Sequence, residues 1–159
     1  MGLMIQGIFI GIVATIGMDI WAAIVKYIFR LPTTDWAMIG RWFGHMPRGV
    51  FFHNPISDSL PIRHELTIGW IAHYVTGIAY GCMYLFIVVV VLSSAPSLGS
   101  AIVFGLATLA APWLIMQPGL GMGVFATKVP QPGLIRLINF SMHLAFGVSL
   151  FLGWSTWPK

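Results

Sequence analysis

The fold class predicted by this chain is an all-α membrane protein: four transmembrane helices in a bundle, with a short interfacial helix in the first connection. Three observations carry that expectation. The 159 residues are 58% hydrophobic and 8% charged, which leaves too few polar groups to cover a water-facing surface. Four apolar stretches reach the roughly 20 residues that a helix needs to cross a hydrocarbon core about 30 Å thick. Within three of them small residues recur at every fourth position, so each has a groove on one helical face where another backbone can approach.

The first span covers roughly residues 3–29, and its stripe reads Gly7, Gly11, Thr15, Asp19. It has neither the basic leader nor the small-residue cleavage site of a signal peptide, so it reads as a retained helix. The connection that follows is too long for a structureless loop in so short a chain. Thr33, Thr34 and Asp35 are helix caps. Trp36, Ile39, Phe43 and Met46 then follow at helical spacing, with Arg41, His45 and Arg48 elsewhere on the wheel. This pattern predicts an interfacial helix over about residues 35–46 on the membrane surface, ended by Pro47 and Gly49. His53, Asp58, His64 and Glu65 crowd the entrance to the second span.

The second span, roughly residues 66–92, carries Glu65, Gly69, His73, Gly77 and Gly81 as its stripe, and the third covers roughly residues 98–117. From Pro112 to Gly133 the chain is apolar yet broken by prolines at 112, 118, 130 and 132. These remove amide donors and predict an interrupted helix that offers Gln117 and bare carbonyls to a ligand, or else a tight interfacial turn. The fourth span, roughly residues 134–154, carries Asn139, His143 and Gly147. His73 to Gly77 and His143 to Gly147 share the pattern His-x-x-x-Gly, a weak echo between the second and fourth spans.

The formal net charge is +4, and its placement argues for membrane topology and against nucleic acid as a partner. Lys26, Arg30, Arg41, Arg48 and Arg63 sit in or beside the first connection, and Lys128 and Arg136 in or beside the third. The second connection has no basic residue, and the far end has only Lys159. By the positive-inside rule the first and third connections are cytoplasmic and both termini periplasmic. The tryptophans mostly fall near span ends, as an aromatic belt requires. Cys82 is the single cysteine, so no intrachain disulfide framework exists. Four helices enclose little volume, which is compatible with a homodimer.

Ionisable groups are costly in a bilayer and mark functional sites. From the rise of about 1.5 Å per residue, Asp19 lies roughly 16 Å from Arg30, His73 roughly 12 Å from Glu65, and His143 roughly 10 Å from Arg136. These depths predict one layer in the cytoplasmic half that binds a metal ion, a proton or a small polar solute. Asp19, His73 and His143 are the expected ligands, with Glu65, Gln117 and Asn139 as supporting or path residues. His45, His53 and His64 are further candidates. Two imidazoles and a carboxylate suit a transition metal such as Zn, Fe or Cu. Haem between the two histidines ranks behind it. The methionines read as apolar filler. A metal-free cluster that fixes helix packing accounts for the same residues.

Two other functional classes stay open. One is a metal- or haem-dependent enzyme acting on a lipid or quinone, in which His45, His53, His64 and Glu65 join the site. The other is a structural subunit of a membrane complex, whose stripes serve assembly.

The phrases Met18-Asp19-Ile20-Trp21, Gly40-Arg41-Trp42-Phe43-Gly44-His45, Gly69-Trp70-Ile71-Ala72-His73-Tyr74 and Gln117-Pro118-Gly119, with the late His143, resemble a family of small bacterial four-span inner-membrane proteins known as domain of unknown function 2938. The resemblance covers nearly the whole chain. It implies a four-helix bacterial inner-membrane protein and assigns no residue a role.

Overall fold

A computed structural model describes residues 2–158, and all regular structure among them is helical. Lys159, counted above among the basic residues, lies outside the described residues. Four helices are long and apolar enough to cross a membrane: α1 Gly2–Tyr27, α3 Glu65–Val91, α4 Leu98–Gly119 and α5 Pro132–Thr156. Between α1 and α3 stands the shorter α2, Trp36–His45. The observed ends fall within about two residues of those expected, because backbone amides in hydrocarbon must be satisfied inside a helix and the apolar run therefore sets its length. Large apolar side chains such as Ile20, Ile71, Val103, Ile115 and Leu137 point outward, a surface that suits lipid and not water.

Contacts divide the chain into two compact units. One comprises Met1–Thr33, Tyr74–Thr108 and Phe140–Lys159, the other Thr34–His73 and Leu109–Asn139.

In the first unit the small-residue stripes meet each other. A Cβ placed on Gly11 would stand 2.6 Å from the Gly77 carbonyl oxygen, and one on Gly81 would stand 2.6 Å from the Gly11 Cα. The α4/α5 pair repeats the device, since a Cβ on Gly105 would lie 2.7 Å from the Gly147 Cα. Only glycine lets the two backbones come this near. Each pair also has a threonine just beyond the glycine whose hydroxyl turns back onto its own helix. Thr15 donates to the Gly11 carbonyl at 2.7 Å and Thr108 donates to that of Gly105. The echo between the second and fourth spans is therefore a shared packing device, with Gly77 and Gly147 each seated on a glycine of the preceding span. Ile10, Tyr84, Leu85, Phe146 and Leu150 fill the core around these contacts.

The second unit is built on α2. Asp35 caps it as expected, accepting from the amides of Ala37 at 2.9 Å and Met38 at 3.4 Å. A short helical turn, Met46–Arg48, follows and ends at Gly49 with φ 77°. Gly40 and Gly69 bring α2 against the start of α3, the Gly40 position facing the Glu65 carbonyl and Gly69 that of Trp36. The buried face of α2 is Ile39, Gly40, Arg41, Trp42 and His45, not the stripe expected from apolar spacing. Phe43 is 36% exposed, whereas Arg41 is 6% and His45 8% exposed. Their polar ends are met by partners that the helical pattern cannot reveal.

The expected break at Pro112 also takes another form. The helix turns at residues 108–109 and then continues through Pro112–Met116 with a widened pitch, and the Gln117 amide donates to the Pro112 carbonyl. Proline removes the donor that would have paired with the carbonyl four residues back, which is that of Thr108, and the helix absorbs the loss as a wide turn. The chain reverses only after Gly119, where Gly121 and Gly123 take φ of 85° and 76°.

Candidate functional site

Within the first unit Asp19 and His143 are both held by hydrogen bonds. The Tyr74 hydroxyl donates to Asp19 Oδ2 at 2.9 Å. On α5, His143 Nδ1 lies 2.8 Å from Thr108 Oγ1 and 3.3 Å from the Gly105 carbonyl oxygen. Thr108 has one hydroxyl proton. When it goes to the Gly105 carbonyl, Nδ1 donates to the Thr108 oxygen and the lone pair of the neutral imidazole sits on Nε2; when it goes to Nδ1, the ring hydrogen sits on Nε2,. Thr108 is placed beside the ring by the turn before Pro112. Tyr74 and Thr108 were not foreseen. The signal for Thr108 was its position four residues before a proline, where a helix loses a bond.

Asp19 and His143 also share a level. α1 and α5 run antiparallel in this unit, paired where Trp21 Nε1 donates to Ser141 Oγ at 3.0 Å and where Gly17 abuts Ser149. Those two pairings bracket Asp19 on one helix and His143 on the other.

His73, the third expected ligand, stacks in the second unit on Trp36, with ring centroids 4.0 Å apart, and lies edge-on to Trp70 at 5.8 Å. Among the described residues no group of three or more His, Cys, Asp and Glu side chains is gathered closely enough to hold a metal ion.

The other expected polar residues are paired in the second unit. Gln117, 1% exposed, donates from Nε2 to Asn139 Oδ1 at 2.8 Å, and Trp113 Nε1 donates to the same oxygen at 3.3 Å. Gln117 Oε1 is buried and has no hydrogen-bond partner among the described residues. An unmet buried carbonyl costs roughly 1–3 kcal/mol, so this oxygen suits a donor such as water, or a cation.

Glu65, expected as a supporting or path residue, forms half of an ion pair. Arg41 Nε donates to Glu65 Oε2 and Nη2 to Oε1, both at 2.9 Å. Arg41 Nη1 reaches the carbonyls of Ser57 at 3.3 Å and Ser59 at 3.1 Å, and the Ile62 amide donates to Glu65 Oε2. The hydrogen bonds that it donates to Glu65 push the guanidinium above its usual range against the opposing effect of burial. This clamp ties α2, the loop after it and the start of α3 together.

The loop histidines serve the same unit. His45 donates from Nε2 to the Leu60 carbonyl at 2.9 Å. His53 Nδ1 pairs with Ser59 Oγ at 2.7 Å, and its Nε2 is buried without a partner among the described residues. Burial, and secondarily the nearby His45, lower the His53 imidazole below its ordinary value. His64 is exposed with φ 60°, and its carbonyl accepts from Ile68 at the head of α3.

These features define a multi-pass α-helical membrane protein with hydrogen-bonded ionisable groups inside its spans. The sequence model of the family described as protein of unknown function (DUF2938) matches residues 8–156, and the chain belongs to that family. Neither a curated protein nor a solved structure gives a significant match.

Proposed function

We propose that the four spans form a bundle in the bacterial inner membrane, with α2 lying at the cytoplasmic interface, and that the layer of Asp19 and His143 binds a proton or small polar solute in transit. The basic first and third connections put both termini on the periplasmic side. The observation that carries this reading is a histidine anchored inside an apolar span at the level of the Asp19 carboxylate. His143 Nδ1 is fixed against the Thr108 hydroxyl and the Gly105 carbonyl. An imidazole changes charge near neutral pH and a carboxylate stabilises the charged form, which is the pairing that proton relays use. Within the second unit, the unmet Gln117 carbonyl held beside Asn139 is suited to water or a cation.

The test is ion flux in proteoliposomes with an entrapped pH dye under an imposed potential. Wild-type protein is expected to acidify the lumen faster than protein-free vesicles, and Asp19→Asn and His143→Gln to abolish the difference. Flux equal to that of empty vesicles sinks the relay.

The same anchoring favours a second reading. With Nδ1 donating to a fixed oxygen, His143 would present Nε2 as metal ligands do, and zinc, iron or copper would take it together with Asp19. Elemental analysis of purified protein decides it: metal in proportion to chain, lost in His143→Ala, supports the reading, and metal-free protein that takes up none on dialysis removes it.

A further inference from the structure

The first and third connections line an open cleft of about 540 Å³ in the second unit, and its lining includes Phe52, His53, Pro118, Val124, Thr127 and Lys128. Two observations point to its occupant. Lys128 has no acidic partner among the described residues, where the ion pair is Arg41 with Glu65. Phe52 and Val124, on the same rim, are 74% and 45% exposed.

We propose that this cleft is a binding site for the phosphate of an anionic phospholipid headgroup. Lys128 supplies the cation, the Thr127 hydroxyl supplies a hydrogen bond to a phosphate oxygen, and Phe52 and Val124 meet the glycerol and upper acyl chains. The exposed apolar rim selects a lipid over a free anion, because inorganic phosphate has no surface to set against Phe52. A basic pocket at the ends of membrane helices recognises headgroups in this way. The site is independent of Asp19 and His143, so failure of the proton relay leaves it untouched.

The experiment measures lipid binding to full-length protein in neutral detergent. Native mass spectrometry counts retained phosphatidylglycerol and phosphatidylcholine over a titration of each, at low salt and with added ammonium acetate. Phosphatidylglycerol is expected to bind in preference to phosphatidylcholine, with the preference shrinking as salt rises. Lys128→Gln should weaken phosphatidylglycerol about fivefold, the effect of one cation near a headgroup, and Lys128→Arg should restore it. Equal binding of the two lipids, or a Lys128→Gln variant that matches wild type, overturns the site. Complete displacement of phosphatidylglycerol by millimolar inorganic phosphate also overturns it, in favour of a free anion.

Discussion

Replacing Glu65 by Gln tests whether the Arg41 clamp holds the second unit together. The guanidinium is 6% exposed and gives both carboxylate oxygens a hydrogen bond at 2.9 Å. Taking away the negative charge leaves an occluded cation facing two backbone carbonyls and a neutral amide. Removing one partner of a buried pair costs about 3–5 kcal/mol. The Glu65 side chain keeps 20% exposure, so water screens part of the loss and about 3 kcal/mol applies. For a chain of this length that corresponds to a drop in Tm of about 6–12 °C. The assay uses Cys82, the sole cysteine and partly buried, whose labelling by a thiol-reactive fluorogenic dye during a thermal ramp in detergent reports unfolding. Asp58→Asn is the control, since that carboxylate is exposed and, among the described residues, accepts from Ser57 Oγ at 3.1 Å. The double replacement Arg41→Met with Glu65→Leu removes both charges and should recover most of the loss. A Glu65→Gln protein that melts with the control, or a double variant worse than the single one, refutes the reasoning.

Three further outcomes follow from the same geometry. Gly11→Ala should destabilise by about 1–3 kcal/mol, because its Cβ would meet the Gly77 carbonyl and Ile78 Cα, which cannot rotate away,; Gly133→Ala, with nothing within 4 Å, should be neutral or stabilising by the same thermal ramp. Thr108→Val removes the hydroxyl that lies 2.8 Å from His143 Nδ1 and should cost about 1–3 kcal/mol; ¹⁵N shifts of labelled His143 should change as the ring nitrogen loses that partner, and unchanged shifts would contradict the contact. His53 is held below the ordinary 6.5, so between its folded and unfolded values the unfolded chain binds more protons. Its contribution is therefore complete above about pH 6.5 and fades as the pH falls, with the nearby His45 adding to the penalty. A His53→Gln variant should show a flatter decline in Tm between pH 7 and 5, and an identical slope would exclude His53 as the cause.

Much of this protein follows from the chain alone, where one physical rule operates on local sequence. The span ends are legible because hydrocarbon forbids unpaired amides, so an apolar run is a helix of that length. Asp35 is legible as a cap because its carboxylate meets amides two and three residues ahead. The glycine stripes announce close approach because the missing Cβ has no other use on a helical face.

Tertiary structure decided which groups meet. No period in the sequence pairs Gly11 with Gly77 or Gly105 with Gly147, since any stripe can accept any other. Arg41 and His45 looked like a water-facing edge of α2, yet a carboxylate 24 positions away and loop carbonyls draw them inside. Thr108 orients His143, and Tyr74 orients Asp19, across 35 and 55 residues. Local pattern sets where a polar side chain stands on its own helix, but its partner and its tautomer depend on distances between helices, and those exist only once the backbones have packed.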